Sequence, residues 1–267
     1  MKYKIGDVQR ILGIPAETLR YFEKKGLITP CKNEGNNYRY YDTLDLNKLV
    51  AYKSYRGMEF SMDESLKIVN SLSHAEVTGS IDSQIKVIEN KINYYQALRI
   101  RLEELKHSYE QVEAIEGKFR ITDSPEVFLF YNQVNDAFCT EEEQVEMTHN
   151  WLKQLPFICL ALHVPKDELP LGSLVHYGYA ISTRYEEILT QLNAPGVQKI
   201  PSQKSIYTIL ACEFLTPRVF TEVLDYMKQH DLVLSGDVIG WIINEERSAT
   251  EVIRYFEVWL PIAEKSQ

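Results

Sequence analysis

Residues 5–41 read IGDVQRILGIPAETLRYFEKKGLITPCKNEGNNYRYY, and their spacing decides the first domain. Ile5, Val8, Ile11 and Leu12 share one face of a first short helix, and Leu19 and Phe22 face inward from a second. Gly13-Ile14-Pro15 lies between them. Pro15 suits the first helical position, where a missing N–H costs nothing. Gly26 suits the left-handed residue that closes the second helix. Two short helices around a tight, glycine-containing turn are the signature of a helix-turn-helix, whose second helix enters a DNA major groove. The polar run Lys32 to Asn37 then gives way to Tyr38-Arg39-Tyr40-Tyr41. That pattern predicts a turn between short strands, a wing, with donors on long arms for a phosphate backbone.

Beyond the wing, Asp42 can cap a helix over about 43–56, with Leu44, Leu46, Leu49, Val50 and Tyr52 facing the first two helices. Ser61-Met62-Asp63-Glu64 is a capping box that starts a helix to about Leu72, and the loop 56–60 forms a second wing. A small all-helical domain with surface Tyr and Arg would leave the Arg20-Tyr21-Phe22 and Tyr38–Tyr41 clusters unexplained, since neither lies on an apolar stripe. The stretch resembles the MerR family of bacterial transcription regulators through Ile5-Gly6-Asp7-Val8, Thr18-Leu19-Arg20-Tyr21-Phe22-Glu23, Gly26-Leu27-Ile28, Tyr38-Arg39-Tyr40-Tyr41 and Arg56-Gly57-Met58. The resemblance implies DNA contacts from Thr18, Arg20, Tyr21, Tyr38, Arg39, Tyr40 and Tyr41, and from Arg56 on the second wing.

A chain of 267 residues has room for two domains and a connector. Charge is unevenly spread along it. Residues 1–78 hold 12 Lys and Arg against 10 Asp and Glu, residues 79–117 hold 5 against 7, and residues 118–267 hold 12 against 21. The net charge of −9 therefore resides in the C-terminal part, and the DNA-reading part is mildly basic. Two copies in a dimer would strengthen that weak basic field. The acidic half would suit a cationic ligand, or serve only solubility. No run of eighteen apolar residues exists, and Met1-Lys2-Tyr3-Lys4 opens no signal peptide, so a cytoplasmic protein is expected. Cys31, Cys139, Cys159 and Cys212 show no paired spacing and read as reduced thiols.

From Ser80 to Glu116 there is no Pro or Gly, and apolar residues recur at Ile81, Ile85, Ile88, Ile92, Tyr95, Leu98, Leu102, Leu105, Tyr109 and Val112. The steps alternate between three and four, with one extra step of three: a heptad pattern with a stammer. At ~1.5 Å per residue such a helix is a rod of roughly 55 Å. So narrow a seam calls for a partner helix, most simply from a second copy; the other reading is a helix packed on its own C-terminal domain. The resemblance implies antiparallel pairing. Residues 79–138 contain no cysteine, and the six histidines show no metal spacing. Thiolate metal sensing and an iron–sulfur cluster both lack ligands, so neither metal nor cofactor is expected.

Residues 118–267 alternate strand and helix signals. Strands are expected over 127–134, 157–164, 174–181, 205–214, 233–243 and 252–261, with helices over about 140–155 and 216–230. Two copies of strand–helix–strand–strand predict an antiparallel α+β domain. The segment 207–241 with Phe256-Glu257-Val258-Trp259-Leu260-Pro261 resembles the GyrI-like effector-binding domain. Alternation puts Tyr255, Glu257 and Trp259 on one face of the last strand. A carboxylate among aromatics is costly unless paired. A planar organic cation would pair it, with each ring face adding ~0.5–2 kcal/mol. The competing partner is an internal Arg254 or Arg218. Glu257 matches the acidic anchor of that family's pocket, and Tyr131, Trp151, Tyr177, Tyr207, Trp241, Tyr255 and Trp259 are the candidate walls.

The sequence thus predicts a multidomain α+β chain: a winged helix-turn-helix over 1–78, a dimerising antiparallel coiled-coil helix over 79–117, and a GyrI-like domain over 118–267. The resemblance implies a homodimeric activator, not an enzyme, that binds promoter DNA and works with RNA polymerase. A hydrophobic, cationic, drug-like effector would make it distort an overlong promoter spacer. Two alternatives differ in class. One is a constitutive DNA-binding regulator with a ligand-free C-terminal domain. The other is a GyrI-like hydrolase of small electrophiles with Glu257 as base, for which no nucleophile or His partner is visible.

Overall fold

The computed structural model describes residues 2–32, 38–188, 192, 194–247 and 251–264. The chain forms two compact units, residues 1–92 and 93–267.

The first unit begins with β1 (Tyr3–Lys4), α1 (Ile5–Leu12) and α2 (Ala16–Lys24). Gly13 ends α1 at φ +65°, a left-handed backbone that glycine adopts without steric penalty. Pro15 sits at the N-cap of α2, one residue before its expected place. Then come β2 (Cys31–Lys32), β3 (Arg39–Tyr41), α3 (Thr43–Gly57) and α4 (Met62–Asn70). The strands form a small antiparallel sheet in the order β1-β3-β2. The wing strands are present; the turn joining them, residues 33–37, lies outside the described residues. Asp42 and Asp45 cap α3 reciprocally, and Ser61 and Glu64 do the same for α4. Val8, Leu19, Phe22, Leu27, Ile28, Tyr41, Leu49 and Tyr52 fill the core between these elements. On α3 only Leu46, Leu49 and Tyr52 of the expected inner face are buried. Leu44 and Val50 are exposed, because they fall off the 46–49–52 line.

A helix of 42 residues follows, α5 (His74–Ile115). It starts six residues before the expected Ser80, because Ser73 and Glu76 cap one another: Ser73 N–H donates to Glu76 Oε2 at 2.7 Å, and Glu76 N–H to Ser73 Oγ at 3.4 Å. Gly79 lies inside it. Ile81, Tyr95, Leu102 and Tyr109 are exposed and Ile88 is half-buried. These five recur every seven residues without interruption. Leu98 and Val112 instead pack into the second unit's apolar clusters. The stammer therefore came from merging two faces of one helix.

The second unit contains β4 (Arg120–Asp123), β5 (Val127–Val134), β6 (Ala137–Phe138), α6 (Glu142–Leu152), β7 (Ile158–Val164), β8 (His176–Ser182), β9 (Val197–Ile200), β10 (Lys204–Cys212), α7 (Thr221–Gln229), β11 (Leu232–Leu234), β12 (Val238–Arg247) and β13 (Val252–Glu264). They form a sheet in the order β4-β10-β13-β12-β7-β8-β5-β6, with β11 beside β13 and β9 beside β5. The ladders between these strands are antiparallel. Strand alternation sorts the apolar side chains. One set, with Val127, Leu129, Ala161, Tyr207, Ile209, Ile239 and Trp259, takes in Val112 and Ile115 of α5. Phe256, Val258 and Leu260 pack with Val223 and Met227 of α7. Phe128 and Phe130 pack with Trp151 of α6. Gly240 sits where a Cβ would meet the Glu257 carbonyl oxygen at 2.3 Å, so the strands approach closely beside that acid.

Candidate functional site

The first unit carries one candidate surface. Arg20 and Tyr21 are exposed on α2, and Thr18 is half-exposed. Lys25 Nζ lies 5.7 Å from the centre of the Tyr21 ring. On the wing Tyr38 is 62% exposed, whereas Arg39 is half-buried, its Nε donating to Glu23 Oε2 at 2.6 Å. That pair joins the wing to α2, and Lys4, Gly6, Arg20, Tyr38 and Arg39 line one shallow cleft. Tyr40 is half-buried. Arg56 is exposed, and its guanidinium donates to the Phe60 carbonyl, bracing the loop expected to be the second wing. Tyr41 departs from the expectation. It is 0% exposed and lies in the core, because alternation along β3 turns it inward. Its phenol is raised by burial, and its hydroxyl has no hydrogen-bond partner among the described residues. It is a core residue, not a phosphate contact.

The second unit carries the other candidate, built around Glu257, which is 6% exposed on β13. Tyr207 on β10 donates its hydroxyl to Oε1 at 2.7 Å, Trp241 on β12 donates Nε1–H to Oε2 at 2.8 Å, and Ser108 on α5 donates to Oε2 at 3.0 Å. All three donors are neutral. Arg254 is engaged with Glu245 and the Glu213 carbonyl, and Arg218 is exposed, so neither supplies the competing ion pair. Trp259 packs at a tilt against Trp241, 4.4 Å away, and against Tyr207, 5.2 Å away between ring centres. Burial first, and then the adjacent Glu257, push the Tyr207 phenol far above its ordinary range, so it remains a donor. Tyr131 belongs to the same cluster, with His163 at 5.0 Å and His176 at 5.4 Å from its ring. Its hydroxyl is buried with no partner among the described residues.

Residues 3–72 match the family described as MerR HTH family regulatory protein. The HTH-type transcriptional regulator ZntR homolog of Haemophilus influenzae is 33% identical over 109 residues, which is 39% of this chain and 80% of that protein. The chain belongs to the MerR family. The HTH-type transcriptional regulator CueR of Escherichia coli is 32% identical over 103 residues, 37% of this chain and 76% of its own length. The EcmrR–DNA complex within EcmrR-RPo, solved by cryo-electron microscopy, aligns over 99% of this chain and 100% of that one at 16% identity, with a TM-score of 0.39.

In this MerR-family regulator the sheet brings six of the eight expected pocket residues together: Glu257, Tyr131, Tyr207, Trp241, Tyr255 and Trp259. Two fall elsewhere. Trp151, on α6, packs against Phe130 with ring centres 5.7 Å apart. Tyr177 packs with the α7 cluster and donates to the Leu215 carbonyl at 3.4 Å. Both belong to other apolar clusters than the one that holds Tyr207, Trp241 and Trp259. Sequence reasoning missed Ser108, a polar residue in a heptad that carried no signal of its role. It also missed the cluster in which His163 Nδ1 lies 3.3 Å from His176 Nδ1 and His163 Nε2 lies 3.0 Å from Asp237 Oδ2. Among the described residues no group of three or more His, Cys, Asp or Glu could hold a metal ion.

Proposed function

We propose that this MerR-family protein is a homodimeric, effector-responsive activator of transcription whose effectors are hydrophobic organic cations. Its DNA surface is α2 with the wing, led by Thr18, Arg20, Tyr21, Tyr38 and Arg39, with Tyr40 beside them and Arg56 on the neighbouring loop. The exposed seven-residue stripe of α5 is the seam for a second copy. Effector binding favours the state that bends and untwists an overlong promoter spacer for RNA polymerase. Such deformation costs a few kcal/mol, so the effector must prefer that state by a comparable differential affinity.

The observation that carries the effector reading is the buried Glu257, which accepts from three neutral donors and has two tryptophans and a tyrosine around it. Neutral donors orient a carboxylate without cancelling its charge. Aromatic faces attract a cation, by about 0.5–2 kcal/mol each. A lipophilic cation satisfies the acid and the walls together. Titrating tetraphenylphosphonium, crystal violet and benzalkonium against tryptophan fluorescence tests this. Quenching is expected because Trp241 bonds Glu257 and Trp259 packs against Trp241. Glu257→Gln should weaken binding roughly tenfold or more, the scale on which an interaction with a buried charge is felt. Equal affinity for the variant would refute the assignment.

A further inference from the structure

The three donors on Glu257 do not have the same origin. Tyr207 and Trp241 stand on β10 and β12, the two strands that flank β13, with Ile209 and Trp241 directly opposite Glu257 in the ladders. Their positions are fixed by the sheet. Ser108 comes from α5, which is not part of it. The same side of α5 holds the helix to the domain at neighbouring turns. Arg101 donates to the Pro156 carbonyl at 3.2 Å and lies 3.3 Å from Cys159 Sγ, and Glu104 accepts from Tyr185 at 2.6 Å and pairs with Arg184 at 2.6 Å. Val112 and Ile115 complete the contact within the cluster around Glu257.

We infer that Ser108 is a positioning residue that latches α5 to the effector acid, and that a cationic effector competes with it for Glu257 Oε2. This rests on the cation-binding reading above. A carboxylate oxygen offers about two lone-pair directions, and Oε2 already serves Trp241 and Ser108. A lipophilic cation brings bulk as well as charge. Of the groups walling the acid, the strand-borne rings stand on backbone held by ladders on both sides, whereas the one hydrogen bond from α5 to the acid among the described residues is that of the Ser108 hydroxyl. Entry therefore opens the Ser108 bond and frees this part of α5. Occupancy of the cup is thereby converted into a change in the helix that carries the exposed seven-residue stripe.

The test uses the full chain, the same three cations, tryptophan fluorescence for affinity and amide hydrogen exchange over residues 101–115 for the helix. In the wild type the cations should bind and speed exchange in that segment. In Ser108→Ala the competitor is gone: affinity should rise roughly tenfold, the effect of one hydrogen bond to a charged group. Exchange should be fast beforehand and change little on binding. Ser108→Thr, which keeps the hydroxyl, should restore wild-type behaviour on both readouts. A merely structural serine would lower stability without tightening cation binding. Glu257-dependent binding with affinity in Ser108→Ala within twofold of wild type, or with no exchange response in the wild type, overturns the latch alone. Failure of the wild type to bind any of the three cations, or undiminished binding by Glu257→Gln, overturns the cation reading and the latch with it.

Discussion

Tyr41 and Arg20 show how closely position and role are tied on the reading head. Tyr41 is wholly buried, and its hydroxyl makes no hydrogen bond among the described residues. Tyr41→Phe should leave thermal stability unchanged or raise it slightly, since removing an unsatisfied buried hydroxyl removes a desolvation penalty. Tyr41→Ala should cost about 3–5 kcal/mol through the cavity. Chemical denaturation of both variants checks the pair. A loss of DNA affinity in a stable Tyr41→Phe protein would return the residue to the interface. Arg20, exposed on α2, should behave differently. Arg20→Ala should leave stability intact and, if it meets a phosphate, lower by about one the slope of log affinity against log salt. Glu257 was legible because an acidic residue broke an apolar strand. Trp151 and Tyr177 were misread because aromatic content alone does not tell which face of a sheet a ring occupies.

At the scale of the element, α5 shows what periodicity can and cannot give. The heptad was visible, but two faces were read as one. The exposed series Ile81, Ile88, Tyr95, Leu102 and Tyr109 is the part that needs an occupant. If it is the proposed seam, charging it at Leu102→Glu together with Tyr95→Glu should turn a dimer into a monomer in sedimentation, with the secondary structure unchanged. A double variant that still sediments as a dimer would place the seam elsewhere. The start of the helix was also in the sequence, in Ser73-His74-Ala75-Glu76, but the run free of Pro and Gly, which set the expected start, begins only after Gly79. Glycine inside a helix costs only about 1 kcal/mol relative to alanine, and a capped helix of 42 residues absorbs it. The longer strands were found from alternating or continuous apolar runs. The short strands β4, β6 and β9 were missed because each has too few residues to show a period, and their placement follows from their neighbours in the sheet.

For the whole molecule, pH is the informative variable. Burial lowers the pKa of His163, outweighing the adjacent Asp237 carboxylate, which raises it. His176 faces its Nδ1, and the Tyr131 ring packs against both histidines. A folded-state value below the unfolded one means that the unfolded chain takes up the proton more readily. The stabilisation is therefore present above the ordinary imidazole value of ~6.5 and is lost as pH falls through the lowered one. The thermal midpoint should drop between about pH 7 and pH 5, and His163→Gln should flatten that drop. An equal decline in the variant would assign it to other groups. The division of charge belongs to this scale too. A chain of net −9 can still read DNA because its acidic excess lies in residues 118–267, which leaves the first 78 positions mildly basic.

In the effector site proposed above, the strands on either side of β13 fix the anionic centre: Tyr207 and Trp241 both donate to Glu257. On that reading, recognition of charge and recognition of shape fall to different residues. Substitutions at Tyr131 or Tyr255, which sit in the same cluster without touching the acid through a hydrogen bond, should retune which guests are admitted while the demand for positive charge persists. A regulator built this way can broaden or narrow its repertoire by exchanging wall residues, with the anchor left untouched.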